Sequence, residues 1–174
     1  AIRLSRDDTS VIINGGTVEA LYSNEEHTDG GVAIIGFKNT EVTINGGTLT
    51  SGSNTVSGNG SASGKNEGTN ARFTVNGGTI TSHYGAGIYA PQVNGVTTVT
   101  GGTITGLTGI EIRAGTLTVT GGNITGTGEY NVTPNTNGLT TEGAAISVAQ
   151  HTTAQPITVN ITGGTFKAET PVSN

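Results

Sequence analysis

The sequence predicts an all-β chain folded as a right-handed parallel β-helix of about six coils, each carrying three short strands. Three observations predict it. One phrase recurs six times, as Val11–Val18, Val42–Leu49, Phe73–Ile80, Thr97–Ile104, Leu117–Ile124 and Val159–Phe166, each with a double glycine at its centre. Between consecutive glycine pairs lies a third apolar segment: Ala33–Gly36, Gly87–Ala90, Gly109–Ile112 and Ala145–Val148, with a weaker match at Thr55–Ser57. Within every segment β-branched residues alternate with polar ones at the two-residue period of a strand. A unit this small cannot bury its apolar side alone, so it must stack on its neighbours.

The first strand of each phrase is read from Val42-Thr43-Ile44, with Val42 and Ile44 inward and Thr43 outward. Asn45 then turns outward ahead of the glycine pair, which suits a corner where φ must become positive or the backbone must bend sharply. In the second strand Leu49 points inward, and Thr48 and Thr50 outward. The third strand aligns Ile34, Ile88, Ile110 and Ile146 as one internal ladder. Spacings between first glycines are 31 from Gly15 to Gly46, 31 to Gly77, 24 to Gly101, 20 to Gly121 and 42 to Gly163. The shortest is the bare coil, and the others add loops, expected at 19–30, 51–70, 126–142 and 150–156. Stacked at about 4.8 Å per rung, six rungs span about 29 Å.

A chain of 174 residues is read as a single domain, 1–174. It has no Met, and is expected to be processed or excised from a longer protein. Ile2 and Leu4 enter in phase with the repeat, and Thr165-Phe166-Lys167 opens a further coil. Open rungs invite strand addition, so end-to-end self-association into a filament is expected.

The rung Gly-x-Ile-x-Ile followed by Val-Thr-Val-x-Gly-Gly-Thr-Ile-Thr resembles the right-handed parallel β-helix repeats of secreted bacterial surface proteins. These look like the pectate-lyase-like superfamily, and include adhesin stalks and carbohydrate-binding β-helix domains. The similarity covers nearly the whole chain outside the loops, in residues that build coils. No catalytic motif of a lyase carries over. The resemblance implies an extracellular or cell-wall-associated bacterial protein.

The net charge of −5, with seven Lys and Arg, excludes the basic footprint that nucleic acid requires. No apolar run reaches membrane-spanning length, and without Cys there is neither a disulfide framework nor a thiolate metal site. A polysaccharide lyase on this scaffold needs clustered carboxylates to hold Ca²⁺ and a base to take a proton. The outward column of the third strand, Ile35, Tyr89, Glu111 and Ser147, offers no such cluster. Glu111 and Arg113 share that face and are expected to form a surface ion pair of small value. The chain is therefore read as non-enzymatic, with a lyase as an alternative and no catalytic residue named.

Glu25, Glu26 and Asp29, beside His27, are the residues that would ligate Ca²⁺, although a solvated acidic turn explains them better and no cofactor is otherwise expected. His27, His83 and His151 share no spacing that would form a zinc site. Tyr84 and Tyr89, with His83, are the carbohydrate-binding candidates, because an exposed ring can stack on a sugar while its hydroxyl hydrogen-bonds. The expected partner is a polysaccharide or a host or cell-surface glycan. A second face, Thr48, Thr50, Thr79, Thr81, Thr103, Thr105 and Thr125, resembles the threonine array of an ice-binding solenoid. Threonine also favours exposed strands for its own sake.

Overall fold

Period-two alternation of short β-branched segments, broken by glycine corners, leaves each strand only the next coil to pair with. In the computed structural model, which describes residues 1–21, 31–58, 70–135, 138–150 and 154–169, the strands stack accordingly. The first coil holds β1 (Ile2–Leu4), β2 (Thr9–Ile13) and β3 (Thr17–Ala20). The second holds β4 (Ile34–Gly36), β5 (Thr40–Ile44) and β6 (Thr48–Ser51), and the third β7 (Val56–Gly58), β8 (Arg72–Val75) and β9 (Thr79–Ser82). Next come β10 (Ala86–Ala90), β11 (Val96–Val99) and β12 (Thr103–Gly106), then β13 (Thr108–Ile112), β14 (Gly115–Val119) and β15 (Asn123–Gly126). After β16 (Asn131–Asn135) and β17 (Gly138–Glu142), the last coil carries β18 (Ile146–Val148), β19 (Ile157–Ile161) and β20 (Thr165–Ala168).

Three six-stranded parallel sheets result, one from the first, one from the second and one from the third strand of every coil. The fold is a right-handed parallel β-helix. Register follows the phrase: Ile2, Ile34, Val56, Ile88, Ile110 and Ile146 form one column. Leu49, Ile80, Ile104 and Ile124 form another, all fully buried. Volume is balanced between coils. A Cβ on Gly36 would sit 3.2 Å from the Phe73 ring, so the one aromatic of the core among the described residues occupies space that a glycine vacates.

From the second coil on, the double-glycine corner needs both glycines, for different reasons. The second has positive φ in every copy, from 82° at Gly16 to 102° at Gly164. The first lies directly over the coil before it: a Cβ on Gly77 would stand 2.6 Å from the Asn45 carbonyl oxygen. Outside this corner the Asn14, Asn45 and Asn76 carboxamides hydrogen-bond in a ladder, each Nδ2 donating to the preceding Oδ1 at 2.8 Å. The Thr100 hydroxyl continues it onto the Asn76 Oδ1.

Three expectations need correction. Residues 126–142 are not simply a loop, because β16 and β17 pair there as an antiparallel hairpin. Glu19 and Ala20 belong to β3 and Ser51 to β6, so two of the expected loops begin later in the chain. Glu111 and Arg113 are not on the surface at all. They are 3% and 1% exposed, since the outer face of β13 is covered. The last coil is less enclosed. Val148, Ile161 and Phe166 are 57%, 50% and 39% exposed, while their register partners Ile112, Val119 and Ile124 are fully buried.

Candidate functional site

The outer face of the sheet containing β10 and β13 carries the site. Its outward column runs Arg3, Ile35, Ser57, Tyr89, Glu111 and Ser147. Glu111 stands directly across from Tyr89, and Arg113 follows two residues later on the same face. Arg113 Nε donates to Glu111 Oε1 at 2.6 Å. Its guanidinium carbon lies 5.7 Å from the centre of the Tyr89 ring. Three side chains of a single face thus lock one another, with both charges withdrawn from water.

The burial that traps this pair also acts on Tyr89. Desolvation raises the phenol above its ordinary pKa of 10.0, the neighbouring Glu111 charge adds to the effect, and Arg113 opposes it by charge and by a hydrogen bond. At neutral pH Tyr89 is an uncharged phenol beside a buried ion pair, with the Arg113 guanidinium over its ring.

Beside this group a cleft of about 280 Å³ opens. Tyr84 and Tyr89 both line it, so the two tyrosines that the sequence singles out are brought together. Glu111 forms part of the floor, and Leu107 adds an apolar wall. The hairpin reaches over from one side to supply Thr133 and Glu142, with β17 running next to β13. On the other side stand Ser53 and Asn54, from the turn between β6 and β7.

That turn is rigid because its polar groups are satisfied internally. Ser51 and Ser82 are buried and both donate to the Ser53 carbonyl, at 2.5 and 2.6 Å. Asn54 Oδ1 accepts the Ala86 amide at 2.8 Å, and Tyr84 N donates to the Gly52 carbonyl at 2.9 Å. A Cβ on Gly85 would lie 2.7 Å from Asn54 Oδ1, so glycine there allows the two turns to touch. The Tyr84 ring is therefore carried on a braced corner.

His83, the third candidate, is exposed and does not line the cleft. Its ring is tilted 48° against Tyr84 at 6.3 Å between centroids. Glu25, Glu26 and Asp29, with His27 and His151, lie outside the described residues. Among the described residues no three or more His, Cys, Asp or Glu gather into a group that would hold a metal ion. No protein family, characterised protein or solved structure matches the chain.

The threonine columns are in register. Thr17, Thr48, Thr79, Thr103 and Thr165 stack in one row, interrupted by Asn123 between the last two, and Thr50, Thr81, Thr105 and Thr125 stack in the next, with Glu19 and Lys167 ending the second. The neighbouring sheet carries another column, Thr43, Thr74, Thr98 and Thr118. Threonine on two faces is also what exposed strand positions favour in general.

Glu142, Thr133 and Asn54 escape a reading of the sequence, because a loop and a hairpin bring them in from far along the chain. Glu111 escapes in the same way, since the alternation places it outward but does not encode the hairpin that packs next to β13.

Proposed function

We propose that this protein is a non-catalytic glycan-binding module of an extracellular or cell-wall-associated protein, and that the Tyr84–Tyr89 cleft is its binding site. The observation that carries the reading is the meeting of two tyrosines in one concave site with hydrogen-bonding groups at its rim. Apolar ring faces stack on the C–H face of a pyranose, and Asn54, Thr133 and Glu142 are placed to take its hydroxyls. At about 280 Å³ the cleft lies just below the usual size of ligand pockets, roughly 300–1,000 Å³, which suits one sugar unit rather than an extended groove. A β-helix of this type serves as the stalk that presents the cleft, and stacking through its ends extends that stalk.

A polysaccharide lyase fits less well. The arginine nearest the cleft is already held by Glu111, leaving it poorly placed to take a proton from a substrate. A glycan array probed with the intact chain and with Tyr84→Ala and Tyr89→Ala tests the proposal. Binding that depends on both rings is expected. Binding that survives both changes would remove the cleft as the site, and release of unsaturated sugars from polygalacturonate would restore the lyase.

A further inference from the structure

Charge in the cleft is one-sided. Two carboxylates line it, and the Glu111 charge is compensated by Arg113 behind the wall. Glu142 has no such partner: among the described residues the ion pairs are Lys38–Asp7, Arg72–Glu41, Arg113–Glu111 and Lys167–Glu169. Glu142 is half-buried at the rim, facing a wall that holds the Tyr84 and Tyr89 rings. The negative faces of aromatic rings attract a cation, and a carboxylate at the same site adds to that attraction.

We infer that the cleft prefers a sugar unit bearing a free, protonated amine, a de-N-acetylated hexosamine, over neutral, N-acetylated or uronic acid units. The inference rests on the glycan reading of the same cleft and narrows it. An ammonium between the exposed Tyr84 ring and Glu142 gains from both, while the Tyr89 ring already carries the Arg113 guanidinium 5.7 Å from its centre. N-acetylation removes the charge and adds bulk in a small space, and a uronate would bring a second anion against Glu142. A lysine side chain carries the same ammonium, but its alkyl stem has nothing to offer the other groups at the rim. Asn54 Oδ1 is engaged with the Ala86 amide, leaving its Nδ2 for a ring hydroxyl, and the Thr133 hydroxyl is placed for another.

The test is calorimetric titration with four probes of matched length: glucosamine, N-acetylglucosamine, cellulose and galacturonate oligomers. A short lysine peptide is the fifth. The pH is set so that the sugar amine is protonated and the carboxylates are ionised. The glucosamine oligomer is expected to bind about tenfold more tightly than its N-acetylated counterpart, the value of one partly buried charge contact. In Glu142→Gln that ratio falls to near one. In Glu41→Gln, which removes an equal charge on another face, it stays, separating site recognition from attraction to an acidic protein. Amide-exchange protection of β13 verifies that each variant is folded.

A ratio near one in the intact chain, a ratio retained in Glu142→Gln, or lysine peptide binding as tight as the amino sugar would each overturn the inference. If neutral or uronate oligomers bind best, this inference falls and the glycan reading stands. If none of the sugars binds, both fall.

Discussion

Alanine substitutions at four glycines would separate the two demands placed on the double-glycine corner. Gly15 has ordinary φ and no atom within 4 Å of a built Cβ, whereas Gly16 has equal space but φ of +82°. Gly77 has ordinary φ and a backbone oxygen 2.6 Å from the Cβ, and Gly78 combines φ of +85° with a Gly46 carbonyl carbon at 2.9 Å. Gly15→Ala is expected to stabilise by about 0.4–1 kcal/mol, through the unfolded chain alone. Gly16→Ala should cost about 1–2 kcal/mol for the left-handed backbone. Gly77→Ala should cost about 1–3 kcal/mol, because coil must move against coil. Gly78→Ala carries both penalties, about 2–5 kcal/mol if they add.

Urea denaturation followed by circular dichroism reads these differences. With slopes of about 1–3 kcal/mol/M, a 2 kcal/mol change moves the midpoint by roughly 1 M. Terminal coils of a solenoid can open separately from the rest. The Gly16 effect is therefore also read locally, as faster exchange of the Thr48 amide that donates to the Gly16 carbonyl at 2.9 Å. If Gly77→Ala proves as harmless as Gly15→Ala, the close approach of successive coils is not what requires the first glycine.

Glu111→Gln and Arg113→Met each strand a buried charge partner and should cost about 3–5 kcal/mol, while replacing both with apolar residues of similar volume should cost far less. Equal losses in single and double variants, in thermal melts, would refute the buried pair. Tyr89 holds a raised pKa in the folded state, so its contribution is fully present below pH 10.0 and is lost as the pH climbs through the higher folded value, where the unfolded phenol ionises first. Alkaline unfolding monitored by phenolate absorbance should therefore be less steep in Tyr89→Phe, and an unchanged profile counts against the covered site. The threonine faces should produce no thermal hysteresis. Ice shaping that vanishes on replacing Thr79 and Thr103 with bulky residues would reverse that reading. The chain should associate end to end as its concentration rises, through the uncovered Ile161 and Phe166. Particle size by light scattering that is independent of concentration, or unaffected by Ile161→Lys, would contradict it.

The coils were legible because one physical rule writes them. A parallel stack demands the same inward pattern in every coil, so Val42, Phe73 and Leu117 announce their positions by repetition. Even the weak Thr55-Val56-Ser57 segment is found, since Ile34 and Ile88 on either side leave a slot of known register. What decorates the stack follows no such rule. The β16–β17 hairpin interrupts the period once and has no second copy among the described residues to compare with. Its effect on Glu111 lies across sequence separations that a two-residue alternation does not encode. Tyr84 and Tyr89 could be picked out as outward rings, but their meeting with Glu142 depends on how a hairpin folds back.

The direction of the hydrogen bonds has a mechanical consequence. In all three sheets they run along the solenoid axis, linking each coil only to its neighbours. Tension between the two ends therefore loads the coils in series and opens them by peeling, a few bonds at a time, rather than by shearing a whole sheet at once. A 31-residue coil released this way pays out about 100 Å of extended chain. Peeled coils can re-zip onto the template left behind, so such a rod would yield under load by lengthening in steps and recover when the load is removed.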